Sequence, residues 1–126
     1  MRKKIINTDK APKAIGPYSQ AIEINGALYI SGQVALDPAT GKMINGGIRE
    51  QTERVLMNID AILTSAGYSR WDVALCYCLL ADMQDFQAMN EVYGAYFNEE
   101  PPARATYAVL KLPLGALVEI QVIAVK

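Results

Sequence analysis

The chain has 126 residues, 52% of them hydrophobic and 20% charged, with a formal net charge of −1. That length favours one domain, residues 1–126, able to bury about two-thirds of the surface its unfolded chain exposes. The charge balance argues against a broad nucleic-acid-binding face. The lack of a sustained apolar stretch argues against a membrane span.

Histidine is absent, which removes Ser-His-Asp and Cys-His catalysis, the commonest zinc ligand and the commonest neutral-pH base. Chemistry here falls to Arg, Glu, Asp, Tyr, Ser, Thr, Cys, Lys or the backbone.

In chain order, Arg2, Lys3 and Lys4 read as a solvated end with no apolar signal region behind them. Residues Asn7 to Pro17 hold Pro12 and Gly16 and read as an ordered loop. Ala21 to Asn25 alternates and meets Asn25-Gly26, a hairpin signal, with Ala27 to Val34 as the return strand. Asp37-Pro38 and Thr40-Gly41 mark a turn.

From Ile48 the residues Thr52, Val55, Leu56, Ile59, Ile62, Leu63 and Ala66 fall on one helical face, and Gly67 is a natural stop. Asp72 to Ala81 is almost wholly apolar and predicts a strand buried on both faces. Asp82 and Asp85 open a second helix with the stripe Phe86, Met89, Tyr93, Tyr96 and Phe97, closed by Pro101-Pro102. Arg104 to Leu110 and Leu117 to Val125 are the last strands. This order predicts an α+β domain with two helices packed on one face of a sheet. Cys76 and Cys78 stand two apart in a strand, too far for a relaxed disulfide, and read as buried thiols in a reducing, cytoplasmic compartment.

Strand alternation sorts the polar groups. Val118, Ile120, Val122 and Ala124 form an apolar face that should lie under the helices, leaving Glu119 and Gln121 among Leu117, Ile123 and Val125. Arg104 and Thr106 share one face of the preceding strand. A face mixing charge with apolar groups suits a subunit interface or a cleft wall. Two readings stay open: Arg104 and Glu119 line a small-molecule cleft, or Arg104 is a surface residue and Glu119 a paired interface charge.

Over essentially its whole length the sequence resembles the RidA/YjgF family of reactive intermediate deaminases. The matching blocks are AIGPYSQAI (Ala14 to Ile22), YISGQ (Tyr29 to Gln33), DFQAMNEVYGAYF (Asp85 to Phe97), PPAR (Pro101 to Arg104) and LVEIQVIAV (Leu117 to Val125). The resemblance implies a chorismate-mutase-like fold, with a mixed sheet closing into a trimeric barrel and clefts at the subunit interfaces. It implies hydrolysis of 2-iminobutanoate and 2-iminopropanoate, released by pyridoxal-phosphate enzymes, to 2-keto acids and ammonia, with no metal or organic cofactor.

By that resemblance Arg104 holds the substrate carboxylate and Glu119 positions or activates water. Tyr18, Ser31, Gly32, Asn90 and Thr106 line the pocket. Thr106 stands where the deaminase branch often has cysteine, and Leu110 is bulkier than the motif's usual residue. The alternatives are a keto-acid-binding trimer of the same fold without turnover, a ribonuclease or translation inhibitor, and a holdase-type chaperone. The missing histidine and the charge balance argue against the ribonuclease.

Overall fold

The protein, a computed structural model, is described for residues 2–126. Its six strands form one sheet in the order β1-β2-β3-β6-β4-β5. The chain runs β1 (Lys4–Ile6), β2 (Ala21–Ile24), β3 (Ala27–Gln33), α1 (Ile48–Ser65), β4 (Val73–Leu80), α2 (Phe86–Tyr96), β5 (Ala103–Ala108) and β6 (Val118–Val125). Every pairing is antiparallel except β4 with β5, which the α2 crossover joins in parallel. The α+β reading and the mixed sheet hold.

The helices follow from local sequence. In α1 the apolar stripe Val55, Leu56, Ile59, Ile62 and Leu63 is buried. Glu50 accepts from the backbone N–H of Gly47 at 2.8 Å, which satisfies a donor at the helix start. Gly67 follows the C-cap with φ +81°, a conformation its missing Cβ permits. In α2 the side chain of Asp82 caps the short turn before the helix by accepting from Gln84 N at 2.8 Å.

Both helices cover the same face of the sheet. Under them lie Leu28 and Ile30 of β3, Cys76, Cys78 and Leu80 of β4, and Val118, Ile120 and Val122 of β6, each almost wholly removed from water. The buried face of β6 is the one its alternation predicts.

Two findings depart from the sequence reading. Residues Lys4–Ile6, read as a charged end running into a loop, form an edge strand on β2. Three residues carry too little periodicity to announce a strand, and only the partner gives them one. And β4 is buried on one face only: Leu75, Tyr77 and Leu79 on its other side stay partly exposed within the chain. Its uninterrupted apolar composition reflects one face against the helices and a second, open face continuous with Tyr29, Tyr107, Ile123 and Val125.

Candidate functional site

The register sorts the candidate residues into two groups. In β5, Arg104 is level with Cys76 and Thr106 with Cys78, so both project on the helix-covered side. Glu119 in β6 is level with Leu79 and projects on the open side. Strand β4 sets β5 and β6 about 10 Å apart, and three residues of offset along it carry the two backbones to about 14 Å. Within one chain, Arg104 and Glu119 therefore stand on opposite faces of the sheet and do not meet.

The first group is built by α2. Phe86, Asn90 and Tyr93 recur at helical spacing and present one face to the edge strand. The Arg104 guanidinium lies 4.8 Å from the Tyr93 ring centroid and 5.6 Å from that of Phe86. Its Nη1 donates to Asn90 Oδ1 at 2.7 Å. No carboxylate pairs with it among the described residues. The planar fork is held in place with donors to spare, an arrangement that can receive a carboxylate.

Beneath it, Tyr93 Oη and Thr106 Oγ1 are buried without a hydrogen-bond partner. They face Cys76 and Cys78, whose thiols burial pushes up to about 11 and about 12. Both therefore remain protonated at neutral pH and serve as core.

The second group is built by a bulge. Ile30 pairs with Val122 and Gln33 with Ile120, so Ser31 and Gly32 together oppose Gln121. A Cβ placed on Gly32 would fall 2.8 Å from Glu119 Cδ and closer still to Oε2. Any side chain there would have to push the carboxylate end of Glu119 aside. Burial raises the Glu119 carboxyl above its ordinary value.

Ser31 Oγ donates to Ser19 O at 2.6 Å, tying the bulge to the Gly16–Tyr18 loop. Tyr18 Oη accepts from Ile15 N at 3.1 Å. A cavity of about 560 Å³ is lined by Tyr18, Ser31, Gly32, Glu119 and Gln121, with Ile15 and Leu114 as apolar walls.

A family model described as endoribonuclease L-PSP matches residues 8–126. The chain belongs to that family, also called RidA/YjgF. It is 51% identical to a RutC family protein of Saccharolobus solfataricus, over 98% of each chain. It is 49% identical to the 2-iminobutanoate/2-iminopropanoate deaminase of Mus musculus, over 98% of this chain and 92% of the mouse protein. A crystal structure of a putative endoribonuclease from Thermotoga maritima superposes with a TM-score of 0.97 at 48% identity, covering 100% of this chain and 98% of that one.

For this RidA-family chain, sequence reasoning overlooked three residues that position the two groups. Phe86 and Tyr93 looked like core stripe, yet with Asn90 between them they seat Arg104; the signal was an asparagine inside an aromatic face. Gln20 is buried, takes the Thr8 N–H at 2.8 Å, and donates to Thr8 O at 2.9 Å and Pro12 O at 2.8 Å. It fixes the loop that carries Tyr18, and only its place between Ser19 and Ala21 at a strand entrance hinted at this.

Proposed function

We propose that the protein is a 2-imino acid deaminase whose reaction centre forms between copies of the chain, the Arg104 group of one meeting the Glu119 group of another. The observation that carries this reading is the separation of the two groups. A guanidinium seated with donors to spare and a half-buried carboxylate against a glycine are complementary halves, yet one chain holds them on opposite faces. The open face supports the same assembly. Tyr29, Tyr107 and Val125 are large apolar side chains left about half exposed there, and continuous apolar surface of this kind is normally covered. A homotrimer with the open faces turned inward would cover it and repeat the cleft at each interface.

In such a cleft Arg104 takes the carboxylate of a 2-imino acid in a bidentate pair and fixes the C=N plane. Glu119, more basic for its burial, accepts a proton from water as the oxygen adds to C2. That proton passes to the imine nitrogen. The carbinolamine then collapses: Glu119 takes the hydroxyl proton and delivers it to the nitrogen as the C–N bond breaks, giving a 2-keto acid and ammonia. The residues assigned to binding are Tyr18, Ser31, Gly32, Asn90 and Thr106. The short substrates 2-iminobutanoate and 2-iminopropanoate are those in the name of the mouse relative. RNA cleavage, the activity in the family's description, would have to proceed here without an imidazole.

The test couples the purified protein to threonine dehydratase, threonine and semicarbazide. Semicarbazone formation falls with the wild type and recovers with Arg104→Ala. Mixing Arg104→Ala with Glu119→Gln subunits, inactive separately, restores about a quarter of the sites if each site draws on two subunits at random. Unchanged trapping by the wild type would sink the deaminase, and keto-acid binding without turnover would take its place. No recovery on mixing exchanged subunits would sink the shared site.

A further inference from the structure

A groove of about 440 Å³ runs along the outer side of the helix layer, away from both groups above. That is the size of a small-molecule site. From α1 it takes Leu56, Met57 and Ala61, and from α2 Val92 and Ala95, all apolar. Met57 is half exposed here with no cover from the chain.

The groove is charged in both senses, with Arg70 and Asp60 both at Tyr96. Arg70 has its guanidinium 5.5 Å from the Tyr96 ring centroid and 4.8 Å from that of Trp71. Stacking holds the plane but leaves the N–H edge free, and Arg70 donates no side-chain hydrogen bond and joins no ion pair among the described residues. A partly buried cation without an anionic partner is a standing cost. Asp60 takes the Tyr96 hydroxyl on Oδ1 at 2.6 Å, which leaves Oδ2 open. Glu53, one helical turn from Met57, adds a second unpaired carboxylate.

We infer that this groove is a second small-molecule site, for a free α-amino acid with an apolar side chain. The ligand carboxylate pairs with Arg70, its ammonium with Asp60, and its side chain lies on Leu56, Met57 and Val92. A purely anionic ligand would meet two carboxylates, and a purely cationic one would meet Arg70. A zwitterion satisfies both. The inference does not depend on the deaminase reading, because none of these residues belongs to either group.

The full-length protein is titrated with L-leucine, following the fluorescence of Trp71, the only tryptophan, and the heat by calorimetry. Saturable binding is expected, at least tenfold tighter than 4-methylpentanoate or 3-methylbutylamine, which each keep half of the zwitterion. Arg70→Gln and Asp60→Asn each weaken it at least tenfold. Ala95→Trp, followed by calorimetry alone because it adds a second tryptophan, fills the groove from an exposed helical position, abolishes binding and guards against misfolding of the charge variants. Arg104→Ala leaves it unchanged. No saturation, equal affinity for either half-ligand, binding that survives Ala95→Trp, or binding lost in Arg104→Ala would overturn the inference.

Discussion

Arg104 and Glu119 belong to one sheet, but their surroundings differ in kind. Arg104 is exposed on an edge strand and owes its orientation to side chains of a helix. Glu119 is half buried in an interior strand and owes its position to a missing side chain, the Cβ that Gly32 lacks. The first group is a planar guanidinium steered by its neighbours. The second is partly stripped of water and has its proton affinity adjusted. An anchor needs constant charge and fixed direction, whereas a base needs a tuned proton and a close approach.

Removing each device should therefore fail differently. Arg104→Ala, losing two charge-assisted bonds of about 1.5–3 kcal/mol each, should lower kcat/KM about 100-fold or more. Because the residue is exposed, its melting temperature should stay near that of the wild type. Gly32→Ala should cost about 10- to 100-fold in kcat by displacing the carboxylate, and about 1–3 kcal/mol of stability by crowding. Shortening the partner in Gly32→Ala/Glu119→Asp should recover part of the stability. If Gly32→Ala matches the wild type in both, the close approach is not what places Glu119.

The Glu119 device carries a sign that thermal melts can read. Its carboxyl is raised in the folded state, so folding favours the protonated form. The stabilisation is fully present below the unfolded value and lost as pH rises through the folded one. Glu119→Gln, which abolishes the charge, should melt above the wild type at pH 7, with the difference vanishing in acid. A variant that melts lower at pH 7 would mean the carboxylate is stabilised by partners. The smallest effect belongs to Tyr93. Tyr93→Phe keeps the ring under Arg104 and removes an unpartnered hydroxyl, so stability should change by no more than about 1 kcal/mol. Tyr93→Leu removes the ring, and KM should rise about two- to fivefold. Equal behaviour of the two variants would break the claim that the ring seats the guanidinium.

Much of this was legible in the sequence because it is local. The helical stripe from Val55 to Leu63, the Asn25-Gly26 turn and the alternation from Val118 to Ala124 each repeat a period that burial enforces. Alternation also separates Arg104 and Thr106 from Ala105 and Tyr107. It says nothing about which set faces the helices. That choice is made by the register of β5 on β4, a pairing 28 residues apart in sequence, since Cys76 meets Arg104. The one-sided burial of β4 is hidden for the same reason: an apolar residue on an open face looks like one in a core. Gly32 was visible as a glycine in a strand, but not what it makes room for.

The bulge at Ser31 and Gly32 makes chain length itself a constraint. Yet the sheet itself does not need both. Ile30 and Gln33 already face the helices together, so deleting Ser31 or Gly32 would leave one residue opposite Gln121 and a regular alternation in which Leu28, Ile30 and Gln33 keep their side. The core would close over the loss, but the tie from Ser31 to Ser19 or the room beside Glu119 would go with it. The extra residue thus serves the site and not the sheet, and its deletion should spare folding while disarming the pocket.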